Sequence, residues 1–317
     1  MKIDILIVLI VLAVVVAIVA PVSGDAAHYF AIATSIAIAL LFFLYGARLS
    51  PAEALAGFKH WKLHLTILVF TFVLYPLIGL GLKPLSGLVP DGLYDGILYL
   101  TLVPSTVQSS VAFTSIAHGN VAGSIVSASA SNLLGVFLTP LLVMLTMQAG
   151  GGVRVDTQVF IDIAVQLLLP FILGQLARKW VQGVAAHKAT KVVDRGSITM
   201  VVYSAFSAGM VSGVWQSVTV GQIVGLCVFS VALVVVMLAL TRWLATLLRF
   251  DRADRIAIEF CGSKKSLATG LPMASVIFGT ANLGLLILPL MIYHQVQLMI
   301  CSLLASHYAK AHEPDLR

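Results

Sequence analysis

Ten apolar segments joined by short polar loops restrict this chain of 317 residues to one class of fold. A helix needs about 20 apolar residues to span a bilayer, and each segment approaches or exceeds that length. Only 10% of the residues are charged, whereas soluble domains carry about 25%. We therefore predict an all-α polytopic integral membrane protein. The predicted spans are 3–21, 28–47, 63–82, 95–117, 121–147, 157–177, 196–215, 219–246, 256–278 and 282–307.

The positions of the basic residues predict the orientation of these spans. Of the 19 Lys and Arg residues, fifteen fall on one side of the membrane if the N-terminus is cytoplasmic. Only Lys83 and Arg154 fall on the other side, and two lie within a span. Because cytoplasmic loops are enriched in Lys and Arg, both termini are predicted to be cytoplasmic, in a bacterial inner membrane. The net charge of +6 then reflects the orientation of the chain in the membrane. We therefore expect a lipid bilayer as its partner and do not expect it to bind nucleic acid.

Two adjacent lysines, Lys264 and Lys265, lie in the middle of the ninth span, which reads IAIEFCGSKKSLATGLPMASVIF. Lys264 follows the charged loop ending at Arg255 by nine residues, which places it about 14 Å deep in a regular helix. A hydrocarbon core is about 30 Å thick, so both lysines are expected near its midplane. A lysine there costs about 2.5–3.5 kcal/mol, and one this deep reaches the interface poorly. The pair therefore predicts a functional site.

The spans divide into two halves of five, at about 1–150 and 155–310, joined by a polar linker. Because five is an odd number, the second half enters the membrane from the opposite side. The two halves are therefore predicted to form inverted repeats within a single integral membrane domain over 1–317.

Both halves contain a helix with a polar interruption at the same depth. In the fourth span the interruption begins at Pro104, nine residues after Asp95, which matches the spacing of Lys264 from Arg255. Pro104 removes a helical hydrogen bond, and Gly262 supplies a flexible point in the ninth span. Paired interruptions in inverted halves are typical of the binding site of a secondary transporter. We predict non-helical breaks at 104–110 and 262–266 that cross near the midplane.

Three stretches carry a resemblance to a known family: VPSTVQSSVAFTSIAHGN, VAGSIVSASASNLLGVFLTP and EFCGSKKSLATGLPMA. With them, the chain resembles the bile acid:sodium symporter superfamily, and within it the SBF-like subgroup with its YfeH-type bacterial proteins. The likeness covers nearly all ten spans. It implies a core domain of spans 3–5 and 8–10 beside a panel domain of spans 1–2 and 6–7. It also implies that substrate moves between these domains by alternating access.

The chain departs from the sodium-coupled members where they bind sodium. Their ninth span carries Glu-X-Gly-Met-Gln-Asn, and alignment on the glycine puts Phe260 at the glutamate and Lys264 and Lys265 at the two amides. A shift of one residue would return an acid, Glu259. Two unit charges 4 Å apart interact by about 4 kcal/mol at an effective dielectric near 20, so an ammonium repels sodium there. Sodium coupling is expected to be weakened or replaced, and the resemblance leaves a vestigial site at Ser109, Ser110, Ser124 and Glu259.

The expected substrate is a small organic anion, because half-helix N-termini attract anions and the lysines add positive charge. A proton site is the second reading of the lysines, since burial favours the neutral amine. Sodium or a proton is therefore the expected coupling ion, with no other cofactor. An anion channel or a regulatory membrane protein remains an alternative, and the sequence does not fix the oligomeric state.

The candidate substrate- and ion-binding residues come from both interrupted spans and their neighbours. Ser109 and its neighbours can bind substrate or cap the half-helix, and His294 can titrate or serve the structure. No nucleophile–base pair or HExxH motif is present, and the three cysteines lack metal-type spacing, so no enzyme, zinc site or disulfide is expected. The candidates are Thr106, Gln108, Ser109, Ser110, Ser124, Asn132, Glu259, Ser263, Lys264, Lys265, Ser266 and His294.

Overall fold

The computed structural model describes residues 5–48, 60–89, 92–147, 161, 164–185, 187–279 and 283–312. Within these ranges the regular structure is helical and no β-strand occurs. The helices are α1 (Ile5–Val19), α2 (Gly24–Arg48), α3 (Trp61–Gly81), α4 (Leu93–Leu102), α5 (Gln108–Ile116), α6 (Val121–Met147), α7 (Leu169–Ala185), α8 (Lys191–Ser212), α9 (Val220–Leu247), α10 (Arg252–Gly262), α11 (Leu267–Phe278) and α12 (Leu283–His312).

Among the described residues, five helices are long and apolar enough to cross a membrane: α2, α3, α6, α9 and α12. Two shorter helices, α1 and α4, are also strongly apolar. Large apolar side chains such as Val19, Val220 and Leu303 point outward and are more than 70% exposed. Because such a surface is stable against lipid and not against water, the protein is an integral multi-pass membrane protein. The prediction of an all-α polytopic fold is thereby confirmed, and the inverted ten-helix repeat stays a prediction.

Polar side chains fix where the helices near the site begin. The Asn120 side chain accepts a hydrogen bond from the Gly123 N–H at 2.8 Å at the start of α6. The Asp251 side chain does the same for the Asp254 N–H at the start of α10, also at 2.8 Å. Asn120 also donates to the Asp254 carboxylate at 2.6 Å, which joins the two helix starts. Caps of this kind satisfy N–H groups that a helix cannot satisfy itself.

The first compact unit of the chain comprises Met1–Leu49, Met144–Val218 and Ala268–Leu288. Within it, α2 and α7 approach each other through two glycines. A Cβ atom on Gly46 would collide with the Phe171 carbonyl oxygen, and a Cβ atom on Gly174 would collide with the Phe43 carbonyl oxygen. Each helix therefore places its backbone against a glycine of the other, as small residues allow in membrane helix pairs.

Arg48 ties the end of α2 to the connection between α7 and α8. Its guanidinium group forms two hydrogen bonds with the Asp194 carboxylate, at 2.9 and 3.0 Å. It also donates to the Thr190 hydroxyl at 2.7 Å and to the Ala185 carbonyl oxygen at 2.8 Å. Both bonds to Asp194 come from Nη1, and Nη2 and Nε bind Thr190 and Ala185, so the guanidinium group holds these helix ends together.

The second compact unit comprises Ser50–Val143, Thr219–Leu267 and Pro289–Arg317. It contains α3, α4, α5, α9 and α10, together with most of α6 and α12. Both lysines and both helix interruptions lie in this unit, so it is the part of the fold that positions the candidate site. The division into core and panel domains stays a prediction. The repeat boundary predicted near 150–155 and the start of the sixth predicted span lie outside the described residues.

Candidate functional site

The first interruption occupies residues 103–107, between α4 and α5. Val103 is extended, with φ −75° and ψ 156°, because a residue before proline avoids the helical conformation. The helix resumes at Gln108, so the break is shorter than the predicted 104–110. Gln108, Ser109 and Ser110 form the first turn of α5 instead. Gly135 of α6 leaves room for the proline ring, since a Cβ there would lie 2.7 Å from Pro104 Cβ.

The second interruption occupies residues 263–266, between α10 and α11. Gly262 is the last residue of α10, so the predicted start of this break at Gly262 is one residue early. The two interruptions contact each other directly. The Ser266 N–H donates to the Pro104 carbonyl oxygen at 2.8 Å, and the Thr106 hydroxyl donates to the Lys265 carbonyl oxygen at 3.1 Å. These bonds between segments replace helical bonds that each segment lacks.

Side chains of α6 satisfy the backbone of the first interruption. Asn132 donates to the Ser105 carbonyl oxygen at 2.6 Å, and the Ser131 hydroxyl accepts from the Ser105 N–H at 3.0 Å. Thr139 donates to the Leu102 carbonyl oxygen at 2.9 Å. Asn132 thus binds a backbone carbonyl group that the interruption leaves without a helical partner. This is a structural role, as opposed to direct binding of a substrate.

The Lys265 ammonium group is fully buried and binds three backbone carbonyl groups. Its Nζ atom lies 2.9 Å from the Thr71 oxygen, 2.8 Å from the Thr101 oxygen and 2.8 Å from the Val103 oxygen. Three acceptors match the three donors of an ammonium group. Thr101 and Val103 lie at the C-terminal end of α4, where the helix dipole favours a cation. Tyr75 adds its ring face at 4.2 Å, a cation–π contact.

The Thr71 carbonyl is available because of a π-helical turn in α3. This turn covers Phe70–Leu74, and in it the Tyr75 N–H donates to the Phe70 oxygen, five residues back. The next bond of the same kind would join Pro76 to Thr71, but proline has no N–H group. The oxygen is therefore left without a helical donor, and Lys265 supplies one. A proline five residues after Thr71 is the sequence signal for this acceptor.

Gln297 of α12 holds the Lys265 backbone with both ends of its amide. The Lys265 N–H donates to the Gln297 Oε1 atom at 2.9 Å, and Gln297 Nε2 donates to the Lys265 oxygen at 2.8 Å. His294, one turn earlier on α12, presents Nδ1 at 2.8 Å from Gln297 Nε2. His294 therefore helps to hold the Gln297 side chain in place. This agrees with the structural role that was predicted as the alternative to titration.

Two tyrosines hold the other end of the second interruption. The Tyr75 hydroxyl donates to the Ser263 carbonyl oxygen at 2.5 Å, and the Tyr293 hydroxyl lies 3.0 Å from the same oxygen. The two hydroxyl oxygens are 2.6 Å apart. The Ser263 side chain donates back to the Glu259 carbonyl oxygen at 2.6 Å. Ser263 is thus fixed through both its backbone and its side chain.

Lys264 is buried as completely as Lys265 but in a different way. Its Nζ atom lies 3.8 Å from the ring centroid of Phe113 and 5.7 Å from that of Phe260. Among the residues that the structure describes, this nitrogen has no hydrogen-bond partner. The neighbouring lysines therefore present one satisfied and one unsatisfied ammonium group.

The serines of the predicted vestigial sodium site form separate contacts. Ser110 donates to the Phe260 carbonyl oxygen at 3.1 Å, and the Ser124 hydroxyl lies 2.8 Å from the Thr114 hydroxyl. Ser109 Oγ is enclosed and has no hydrogen-bond partner within the described part of the chain. The Gln108 side chain is exposed at the start of α5.

The Glu259 carboxylate, only 3% exposed, is bound by Tyr308 of α12. The Tyr308 hydroxyl lies 3.0 Å from each carboxylate oxygen, and Arg242 of α9 donates to the same hydroxyl. Over the described ranges, no group of three or more His, Cys, Asp or Glu side chains is arranged to hold a metal ion. Glu259 thus has its own partners, distinct from those of Ser110 and Ser124.

Half of the candidate residues meet where the two interruptions cross, and others have separate environments. Several residues of this crossing were not among the candidates. A polar residue at helical spacing from His294 pointed to Gln297, and Pro76 pointed to Thr71. The candidates at the crossing are Thr106, Asn132, Ser263, Lys265, Ser266 and His294, and those missed include Thr71, Tyr75, Thr101, Val103, Ser131, Tyr293 and Gln297.

Comparison with known proteins agrees with a transport role. The model of the SBF-like CPA transporter family matches residues 4–310. An uncharacterized protein of Pseudomonas aeruginosa is 50% identical over 92% of this chain and 88% of its own length. The YfeH protein of Escherichia coli, whose name marks it as a candidate symporter, is 46% identical over 92% and 89%. Sodium/bile acid cotransporter 7 of Rattus norvegicus is 31% identical over 85% and 81%. The relatives whose names state a role are symporters or cotransporters and not enzymes, and this chain belongs to the SBF-like CPA transporter family.

Proposed function

We propose that this protein is a secondary transporter that moves a small organic anion by alternating access, with Lys265 in the place of a sodium ion. The observation that carries the proposal is the Lys265 ammonium group bound by three backbone carbonyl groups. Carbonyl oxygens at the end of a broken helix are the ligands that transporters of this kind offer to a coupling cation. Here the chain supplies that cation itself.

A fixed ammonium group changes the energetics of sodium binding. At 4 Å and an effective dielectric near 20, it repels a sodium ion by about 4 kcal/mol. It also occupies the three carbonyl oxygens that would replace the hydration shell of the ion. Sodium therefore gains little by entering, and transport driven by sodium at this position is not expected.

An anionic substrate is supported by the balance of charge around the crossing. Lys264 and Lys265 are both buried, and no acidic side chain forms an ion pair with either of them among the described residues. The nearest acid in sequence, Glu259, is held by Tyr308. The N-terminal ends of α5 and α11 follow the two interruptions and add partial positive charge. Bile acids, named for the rat relative, are organic anions and give a first probe.

A proton-coupled carrier is the second candidate, and Lys264 is the observation that favours it. An ammonium group without an acceptor is poorly stabilised, so the lysine gains by releasing its proton when no anion is present. For both candidates we propose the same location, the bacterial inner membrane with cytoplasmic termini, because of the distribution of the basic residues. They differ only in what moves with the anion.

Uptake into proteoliposomes tests the proposal. The probes are radiolabelled taurocholate and a panel of labelled monocarboxylates, measured in sodium and in choline at one fixed pH. We expect saturable uptake whose rate in choline is within about twofold of that in sodium. Double substitution of Lys264→Gln and Lys265→Asn should weaken uptake and raise its response to sodium.

Three outcomes would count against the proposal or redirect it. If uptake by the unmodified protein were more than about tenfold faster in sodium than in choline, Lys265 would not act as a substitute for sodium. Uptake driven by an inward proton gradient would select the proton-coupled carrier. Flux that does not saturate would indicate an anion channel.

A further inference from the structure

The turn that joins α9 to α10 carries an excess of positive charge. Its sequence, RFDRADR, runs from Arg249 to Arg255 and contains three arginines and two aspartates. Both aspartates are engaged elsewhere, since Asp251 caps the start of α10 and Asp254 accepts a hydrogen bond from the Asn120 side chain. No ion pair within the described ranges involves the three arginines. The positive charge of the turn is therefore available to a partner outside the chain.

Arg249 adopts a backbone conformation that arginine disfavours. Its φ angle is +59°, in the left-handed region, where the Cβ atom is crowded. It ends α9 in a Schellman motif, in which the Phe250 N–H donates to the Ala245 oxygen at 3.1 Å and the Arg249 N–H to the Thr246 oxygen at 3.0 Å. Glycine is the usual residue at this position because it has no Cβ atom.

The Arg249 side chain does not offset this strain from within the protein. It is exposed, and its guanidinium group has no partner in the part of the chain that the structure describes. An arginine at a position suited to glycine, with nothing inside the protein to bind, points to an external anion as its partner.

Arg252 lies close enough to Arg249 to bind the same anion. The two are three residues apart, a stretch of chain that spans at most about 11 Å. Arg252 is exposed, and its contacts with the carbonyl oxygens of His118 and Tyr308 are long, at 3.4 Å each. These use two of five guanidinium donors. Arg252 is also the first residue of α10, where the helix dipole adds partial positive charge that suits a phosphate group.

An exposed apolar stripe on α9 leads directly to this turn. Leu240, Trp243 and Leu247 recur at helical spacing and share one face, and Trp243 is 62% exposed. Trp243 lies six residues before Arg249, about 9 Å along the helix axis. The headgroup region of each leaflet is about 5–8 Å thick, so Trp243 reaches the edge of the hydrocarbon when Arg249 is level with the phosphate groups. Tryptophan is enriched at that depth.

We infer that the α9–α10 turn binds an anionic phospholipid, with Arg249 and Arg252 at the phosphate group and Trp243 and Leu247 against an acyl chain. The stripe favours a lipid over free phosphate because it provides an apolar surface that continues into the basic turn. A lipid with net negative charge is favoured because the ammonium group of a zwitterionic lipid is repelled by the arginines. The distribution of basic residues assigns this lipid to the cytoplasmic leaflet.

Native mass spectrometry of the purified full-length protein in detergent tests this site. The protein is titrated with phosphatidylglycerol or with phosphatidylethanolamine of the same acyl chains, and inorganic phosphate is added as a competitor. Each basic residue near an anionic headgroup contributes about fivefold in affinity. We therefore expect phosphatidylglycerol to bind at least about fivefold more tightly than phosphatidylethanolamine. Inorganic phosphate at equal concentration should not displace it, because phosphate makes no contact with the apolar stripe.

Arg249→Gly separates lipid binding from stability. It should weaken binding of phosphatidylglycerol by about fivefold. Without added lipid it should unfold at or above the wild-type temperature, because glycine relieves the left-handed strain. Lys83→Ala is the matched control, since it removes the same charge from an exposed site on the opposite predicted face. Its affinity for phosphatidylglycerol should stay within about twofold of the wild type, since this charge is far from the site.

Four results would overturn the inference. These are equal affinity for the two lipids, displacement of phosphatidylglycerol by an equal concentration of inorganic phosphate, wild-type affinity in Arg249→Gly, or an equal loss in Lys83→Ala. A lower unfolding temperature of lipid-free Arg249→Gly would also count against it, because the side chain would then stabilise the fold itself. None of these measurements depends on the transported substrate or on sodium, so the proposed function and this site can fail separately.

Discussion

Two lysines that are adjacent in sequence have different chemistry because the backbone between them is not helical. On a regular helix they would differ by about 100° in direction and by little else. In the interruption, Lys265 turns to the carbonyl groups of Thr101 and Val103, whereas Lys264 turns to the face of Phe113. Residue type and depth in the membrane therefore predict that the lysine pair belongs to a functional site. Only the path of the backbone decides which lysine does what.

Gln297 is the side chain on which the position of Lys265 depends most directly. Gln297→Met keeps the size of the side chain but removes the acceptor of the Lys265 N–H and a donor to its carbonyl oxygen. Each buried group left without a partner costs about 1–3 kcal/mol, so the unfolding temperature should fall by about 5 °C or more. Scanning fluorimetry of the purified protein measures this shift.

Gln295→Met is the matched control for that change. Gln295 lies two residues earlier on α12 and is half-buried, and the same substitution there should move the unfolding temperature by less than about 2 °C. Equal shifts for the two variants would show that the amide contacts of Gln297 contribute nothing specific.

At the scale of helices, the site is built from ends and irregular turns. Pro104 ends α4 and exposes its terminal carbonyl groups, and Pro76 frees one carbonyl group from the π-helical turn of α3. These oxygens cannot remain unsatisfied in a membrane, where no bulk water reaches them. Lys265 meets that requirement from a third element, so one side chain makes three elements depend on one another.

The close contact of α2 and α7 gives a prediction at the same scale. Gly46→Ala and Gly174→Ala each place a methyl group against a backbone carbonyl oxygen of the other helix. Because a backbone cannot rotate away as a side chain can, the helices must separate, at a cost of about 1–3 kcal/mol for each variant. Thermal unfolding in detergent should show a clear decrease for both.

Gly183→Ala provides the comparison, since Gly183 lies on α7 in open space. Alanine favours a helix over glycine by about 1 kcal/mol, so this variant should be neutral or slightly more stable. If Gly46→Ala and Gly174→Ala were as stable as Gly183→Ala, the close approach of α2 and α7 would be wrong.

For the whole molecule, composition and the length of the apolar segments were enough to predict a helical membrane protein, and single residues predicted approximately where two helices break. Pro104 and the lysine pair carried that signal because proline and buried charge have few roles in a membrane. The residues that complete the site were harder to predict. Thr71 contributes a backbone oxygen, and the sequence signal for it is the proline five residues later and not the Thr71 side chain. Gln297 was visible as a polar residue, but its partner, the Lys265 backbone, depends on long-range packing.

The orientation of the whole chain is predicted from fifteen basic residues on one side against two on the other. Gly87 and Gly183 are exposed and lie in open space, after the third and sixth predicted spans, so cysteines there should react freely. In a background of Cys227→Ser, which removes the exposed native thiol, Gly87→Cys should react with an impermeant maleimide on intact cells. Gly183→Cys should react only after the inner membrane is permeabilised, because the positive-inside rule places this end of α7 in the cytoplasm. Labelling of both cysteines on intact cells, or of Gly183→Cys alone, would reverse or remove the predicted topology.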